Sequence, residues 1–546
     1  MKKILYILFL IIVGLLNSCG NKFLDVVPLN VLSDETFWKT ENDATLALNG
    51  CYNDWEAYLN IVCFDSASDN GWDSAWGYAK FGNGTLTPAT YDQVGPWVDS
   101  SGPITYHSEG WFLYTKIRKY NNFLARINSV TMDTTKRTEY KAEVRFLRAY
   151  DYFWKVMLHG DMPLVTKIIL ADAKLKRDPA ATVKQFILDE LAEIAPLLPV
   201  QNTIDSQGHV TRGAALALKA RLELYMGNFA AAQTDAKAVI DMSCYELYPD
   251  YRNLFLPAST GVNKECILGA NFIVNDYPDA WQRASSPDAD GGWSVFNATK
   301  SIADAYECSN GKTIDDPTSG YDINNPFQNR DPRLAMSIWY PGQLWNGRYY
   351  NSLDQFLPNG TQNLDYHGLQ FASPTGMNVK KYVDPLGPGQ TNWPPNFGDL
   401  FMCIRLAEMY LTYAEAAVET GTNTGQALQY INLIRNRVGQ IQATSLTKDL
   451  VRRERRVELA FEGLRYFDIM RWDLGAQVLS GPLYGSRLGT IDANGKVTWK
   501  GDGKLVNIDN YMMVETRVFN PARKYLFPVP QMELDANPNM VQNPGY

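Results

Sequence analysis

The chain has 546 residues, 45% hydrophobic and 20% charged, with 59 Asp and Glu against 51 Lys and Arg and a formal net charge of −8. That length can build a large core, and the acidic balance gives no field that favours DNA, RNA or an anionic bilayer surface. The four histidines, His107, His159, His209 and His367, are far apart and lack HExxH-type spacing, so no zinc site is expected.

The N-terminus reads as an export signal. Lys2 and Lys3 precede an apolar stretch, Ile4 to Leu16, that is too short to span a bilayer comfortably. Leu16, Asn17, Ser18 and Cys19 follow. This tetrad resembles a bacterial lipobox, with Asn17 departing from its usual small residue, which implies acylation of Cys19 as the first residue of the mature protein. Acyl chains there would anchor an otherwise soluble domain, at about 0.8 kcal/mol per buried CH₂. No later apolar run is long enough to cross a membrane. The remaining cysteines, Cys51, Cys63, Cys244, Cys266, Cys308 and Cys403, show no CxxC spacing and read mostly as small buried apolar residues.

Helical periodicity opens over residues 34–59, with Ser33 as cap and Phe37, Leu46 and Tyr52 on the packed side. Residues 63–103 are instead rich in Gly, Asn, Asp and Ser and are punctuated by Trp72, Trp76, Tyr78 and Trp97, the composition of a long surface loop. Helices are predicted over 109–129, over 141–158, where Ala142, Phe146, Ala149, Phe153 and Val156 keep a four-three spacing, and over 182–198. Residues 212–241 form two short helices around Gly227 and Asn228, and 404–438 form a similar pair. Their alanines permit the close approach that tetratricopeptide-type hairpins require.

Between Cys244 and Phe401 periodicity fades into loops, short strands and small helices that carry Trp281, Trp293, Trp339, Trp345 and Trp393. One further amphipathic helix is predicted over 451–472, with Val457, Ala460, Phe461, Leu464 and Phe467 on its buried face. Its arginines and glutamates, Arg452, Arg453, Glu454, Arg455, Arg456, Glu458 and Glu462, are expected to pair on a solvated side. IDANGKVTW, from Ile491, reads as a β-hairpin turning at Asn494 and Gly495.

Catalytic signatures are missing. There is no GxSxG, no phosphate-binding loop and no metal-ligand spacing, so no catalytic residue, metal or cofactor is assigned. Asp65, Asp69 and Asp73 superficially resemble a calcium loop but lack its glycine and terminal glutamate. Two of the many carboxylates could still meet at glycosidase separation, which leaves a surface glycoside hydrolase as an alternative.

Five stretches, in order, resemble the SusD/RagB family of outer-membrane nutrient-binding lipoproteins. They are KAEVRFLRAYDYFWKVMLHGDMPLV from Lys141, RGAALALKARLELYMGNFAAA from Arg212, IRLAEMYLTYAEAAVETG from Ile404, VRRERRVELAFEGLRYFDIMRW from Val451 and YLFPVPQMELDANPNMVQNPGY from Tyr525. Weaker matches lie at Ala303, Asn329 and Val379. The resemblance implies a mostly α, SusD-like fold: a signal peptide over 1–18, then one domain over 19–546. The scaffold of helical hairpins would lie mainly in 34–59, 109–241 and 404–472, and the loop-rich ligand-binding region mainly in 63–103 and 244–400.

The resemblance further implies a non-catalytic, surface-exposed lipoprotein, anchored in the outer membrane through Cys19. It would capture oligo- or polysaccharide and deliver it to a SusC-like TonB-dependent transporter docked on the helical face, with peptide or glycoprotein cargo as the alternative. Sugars stack their C–H faces on Trp and Tyr and pair their hydroxyls with Asn, Asp, Gln and Arg. Asp69, Asn70, Trp72 and Trp76 of the first loop, with Trp281, Trp293, Tyr349 and Tyr350 of the second region, are therefore the expected ligand-binding residues. No family motif assigns them by position.

Overall fold

The computed structural model describes residues 37–53, 55, 61–74, 78–93, 112, 114–170, 172–202, 208–276, 278–385, 396–504 and 508–546. The signal segment, Cys19, Ser33, Trp76, Trp97, His107 and Trp393 lie outside them. The fold is mostly α. Its frame consists of α1 (Glu41–Tyr52), α2 (Thr115–Arg126), α3 (Thr134–His159), α4 (Ala180–Ile194), α5 (Arg212–Tyr225), α6 (Phe229–Asp241), α7 (Leu406–Thr420), α8 (Thr424–Arg437), α9 (Lys448–Glu458) and α10 (Arg465–Arg471). Neighbours in this series pack in sequence from α2 to α8, and α9 lies on α7.

The two expected hairpins are α5–α6 and α7–α8. Gly227, at φ 79°, turns the first, and Gly421, at φ 70°, ends α7 before the second. Ala214, Ala217, Ala220, Ala232, Ala236, Ala414 and Ala417 are fully buried, so the helices approach closely, and α6 packs on α7 across the long gap in sequence. Antiparallel strands β2 (Cys266–Asn271) and β8 (Leu400–Arg405) close that gap, so the excursion between them leaves and rejoins the frame at one neck. Strand β8 takes Ile404, which the periodicity places in a helix.

The excursion carries β3 (Phe296–Ala298), β4 (Ile338–Trp339), β5 (Leu344–Trp345), β6 (Arg348–Tyr349) and β7 (Asn378–Val379). Strand β1 (Gly71–Asp73) joins β3, β7 and β4 in one sheet of order β1-β3-β7-β4. Beyond α10, β9 (Gly481–Arg487) pairs with β12 (Tyr511–Arg517), and β10 (Gly489–Ile491) pairs with β11 (Val497–Trp499) around the predicted turn at Gly495.

Several boundaries move for identifiable reasons. Helix α1 starts at a Thr40–Asp43 capping box, and Leu46 is exposed while Ala44, Leu48 and Cys51 face the core. Asp133 caps α3 and extends it a full two turns before Lys141. The predicted helix over 451–472 breaks into α9 and α10, because Phe461 and Gly463 take φ of 62° and 76° and the Gly463 amide donates to Asp65 at 2.7 Å. A Cβ at Gly463 would strike the Ile61 carbonyl.

Much of the expected solvated side of this segment is buried instead, while Arg452, Arg453 and Arg456 are half-buried. Arg455, Glu454, Glu458 and Glu462 have at most 5% exposure, and their partners come from distant elements. Arg405 bonds Glu458, Glu462 and Glu265, and Arg333 bonds Asp331, Glu454 and Glu458. Arg435, Arg437 and Lys381 complete the network. Buried charges survive only when paired this densely. Of the six described cysteines, Cys51, Cys63, Cys308 and Cys403 are buried, and Cys244 and Cys266 are half-buried.

Candidate ligand-binding surface

The first part of the predicted loop is a core element. Ile61 to Gly71 are all buried. Their polar groups are consumed internally, which corrects the reading of this stretch as a surface loop. Asp69 accepts from Arg465 Nε at 2.8 Å and lies 3.0 Å from Arg456 Nη2. Burial would raise its carboxyl, but those two arginines outweigh it and hold the group well below the usual carboxylate range. Asn70 donates to Asp65 and accepts from Arg456. At Asp65 burial dominates and pushes the carboxyl up to about 6, against the lowering effect of its hydrogen bonds from Asn70 and Gly463. Asp69 and Asn70 are thus structural groups with at most 3% exposure.

Trp281 and Tyr350 are corrected in the same way. Trp281 has no exposure, stacks on Phe296 at 4.7 Å between ring centroids, and donates Nε1 to the Lys381 carbonyl at 3.1 Å. Tyr350 is buried, with its hydroxyl donating to Asn378 Oδ1 at 2.7 Å. An aromatic in a loop-rich region is indistinguishable by type from an aromatic in the core, and only the tertiary partners separate them.

Trp72, Trp293 and Tyr349 retain surface. Trp72 is half-buried on β1, opposite Asn297 of β3, and the Ser74 amide continues that pairing onto the Val295 carbonyl at 3.1 Å. Trp293 lies two residues before Val295, and its amide donates to the Arg283 carbonyl at 2.9 Å. It is placed by a tight turn over 287–292: Gly291 takes φ 81°, and a Cβ at Gly292 would overlap the Ser286 carbonyl. The Arg283 guanidinium lies 4.6 Å from the Trp293 ring centroid and covers one of its faces.

Tyr349 is 38% exposed at the tip of β5–β6. Asn346 and Gly347 both take positive φ, 47° and 75°, the conformation a two-residue hairpin turn needs. Gly495 of the β10–β11 turn leaves room for the Tyr349 ring, which a Cβ there would overlap. Arg348 links this hairpin to the Trp293 turn: Nη2 lies 2.7 Å from Asp290 and Nη1 2.5 Å from Asp365. Arg283, Asp290 and Arg348 were not expected from the sequence. The available signal was the position of Arg348 beside two selected tyrosines.

Partly exposed Trp and Tyr rings with guanidinium and carboxylate groups nearby can stack on and hydrogen-bond a polyhydroxylated ligand. Among the described residues no group of three or more His, Cys, Asp or Glu side chains is arranged to hold a metal. The fold is a helical-hairpin scaffold from which a loop-rich excursion with short strands projects. The chain belongs to the SusD family, whose model matches residues 269–546, and a second model, described as starch-binding associating with outer membrane, matches residues 22–224.

The chain is 26% identical to SusD-like protein P38 of Formosa agariphila over 88% of its own length and 92% of that protein's. It is 25% identical to the starch-binding protein SusD of Bacteroides thetaiotaomicron, over 79% and 76% respectively. The crystal structure of a SusD-like carbohydrate binding protein from Bacteroides fragilis superposes with a TM-score of 0.80 at 28% identity, covering 92% of this chain and 99% of that one.

Proposed function

We propose that this protein is a non-catalytic glycan receptor, held at the outer membrane by acylated Cys19, that captures oligo- or polysaccharide and passes it to a SusC-like TonB-dependent transporter. The observation that supports this reading is that Trp72, Trp293 and Tyr349, three of the expected ligand-binding residues, each keep surface outside the helical frame. Family membership supports it, as do the carbohydrate- and starch-binding relatives. The helical face is the expected transporter contact.

The test is calorimetric titration of the soluble form beginning after Cys19 against plant, microbial and host polysaccharides. Saturable heat with one class, without release of reducing ends, is the expected result. Silence across the panel together with heat from a peptide mixture would replace glycan by peptide cargo. Sustained release of reducing ends would make the protein a hydrolase. Gentle detergent extraction of the full-length protein is expected to bring down a transporter-sized barrel, and recovery of the receptor alone would remove the partner from the proposal.

A further inference from the structure

The loop that follows α3 carries aliphatic side chains that it does not bury. Ile168, Ile169 and Leu170 are between 42% and 78% exposed, and with Ile117, Arg118 and Met540 they line a groove of about 370 Å³. Its walls are pinned by hydrogen bonds. Asn121 of α2 donates to the Val165 carbonyl at 2.9 Å and to the Lys167 carbonyl at 3.3 Å, and the Tyr152 hydroxyl accepts from the Val165 amide at 2.7 Å. On the opposite wall Asn537 donates to the Leu175 carbonyl at 2.8 Å. A contiguous apolar surface held open in this way marks a binding site. The charged groups of the lining are Arg118, Lys167 and Glu533, a positive balance in an acidic chain.

We infer that residues 23–32 of this same chain dock in that groove. The segment reads FLDVVPLNVL: seven of its ten residues are apolar, and its single charge, Asp25, is opposite in sign to the balance of the lining. It is too short to cross a bilayer and too apolar for a solvated linker, and Pro28 holds Val27 extended. The chain also enters the fold beside the groove. Phe37 packs on Trp38, and Trp38 packs edge to face on Phe123 at 5.7 Å, on the helix whose Ile117, Arg118 and Asn121 form one wall. From Arg118 to Phe123 is about 7.5 Å along the axis, and α2 is about 10–12 Å across, a gap that the five steps from Leu32 to Phe37 cover at about 3.3–3.6 Å each. Covalent attachment puts the segment at an effective concentration on the order of millimolar, which favours it over a separate chain of the same chemistry. With Cys19 acylated as proposed above, docking would leave only Gly20, Asn21 and Lys22 between groove and anchor, and so hold this face against the membrane.

The experiment uses the soluble chain from Gly20 to Tyr546, so neither acylation nor glycan binding enters it. A benzophenone photocrosslinker in place of Ile169, irradiated and mapped by mass spectrometry, is expected to attach within residues 23–32 of the same chain. Attachment to a second copy, or only to other segments, would overturn the docking. Thermolysin cleavage before Leu32 reads the same contact without the probe, because cleavage of a docked segment tracks the fraction of time it is open. Val27→Asp and Ile169→Asp are each expected to speed that cleavage about tenfold, since each puts a carboxylate into the apolar contact, and the double variant to add less than about twofold more. Ile169 is exposed and Val27 precedes the described residues, so neither change enters the core. Wild-type cleavage rates in both single variants, or effects that multiply in the double variant, would also overturn the proposal.

Discussion

Arg405 Nη1 lies 2.7 Å from the Glu458 carboxylate, and neither side chain exceeds 1% exposure. Glu458 also meets Arg333 at 2.9 Å and Arg437, while Arg405 also meets Glu265 and Glu462, so the pair is the hub that ties the neck strand β8 to the end of α9 and to the excursion. Loss of Glu458 takes a shared carboxylate from Arg333, Arg405 and Arg437, each of which keeps another partner but is left with less compensation for its buried charge. Glu458→Gln is expected to cost about 3–5 kcal/mol of stability, measured by denaturant unfolding. A change near zero would mean that solvent reaches the network.

The same hub sets an acid limit. Burial alone would raise the Glu458 carboxyl, but Arg437, Arg405 and Arg333 outweigh it and hold it well below the usual glutamate range. With the folded value depressed, the contribution is present above the unfolded glutamate value of about 4.3 and is lost as pH falls toward the folded value. Melting temperature should drop steeply below about pH 4, and Glu458→Gln, already destabilised, should show a shallower drop in that window.

The hairpins α5–α6 and α7–α8 were legible because their buried alanines and leucines recur at local helical spacing, which needs no knowledge of the rest of the chain. The failures share the opposite property. Glu458 and Asp69 look solvated in sequence, yet their partners Arg405 and Arg465 lie 53 and 396 positions away. Trp281 and Trp293 are the same residue type in the same region, and the stack of Trp281 on Phe296 and its Nε1 bond to the Lys381 carbonyl, both tertiary, mark it as core. The break between α9 and α10 depends on an amide that bonds Asp65, 398 positions earlier. Long-range pairing, not local propensity, decided each of these cases.

That break gives a backbone prediction. Gly463 combines φ 76° with a carbonyl, that of Ile61, where a Cβ would lie, while Gly439 has φ 71° with open space around it. Alanine at Gly439 meets only the left-handed penalty of about 1–2 kcal/mol. Gly463→Ala meets the same penalty plus the clash and a displaced Asp65 hydrogen bond, so it should be the more destabilising of the two in parallel denaturant unfolding. Equal effects would show that the Ile61 segment yields freely.

Asp279 and Asp399 define the alkaline side. Both are buried, and burial, then the charge of Asp279 and the hydrogen bond between the two carboxyls, push Asp399 well above the usual aspartate range. Its folded value exceeds its unfolded value of about 3.9, so the folded state binds the extra proton and stability is lost as pH rises from that value through the folded one. Asp399→Asn keeps the shape and supplies a permanent donor to Asp279. Its melting temperature should exceed that of the wild type at about pH 8, with the gap closing toward about pH 4. A gap that is constant across that range would remove Asp399 as the titrating group.

The aromatic residues separate into two classes with opposite readouts. Trp281 is wholly buried against Phe296 with its indole N–H satisfied, so Trp281→Ala should act on stability, by about 3–5 kcal/mol. Trp293 keeps surface beyond the face covered by Arg283, and Tyr349 is 38% exposed, so alanine at either should spare most of the fold. Each should instead weaken glycan binding by about 1–3 kcal/mol if its ring stacks on sugar. Denaturant unfolding and calorimetric titration of the three variants side by side distinguish the classes. Wild-type affinity in both Trp293→Ala and Tyr349→Ala would move the ligand off this face, whereas loss of affinity confined to one of them would assign the stacking platform to that ring and leave the other as its rim.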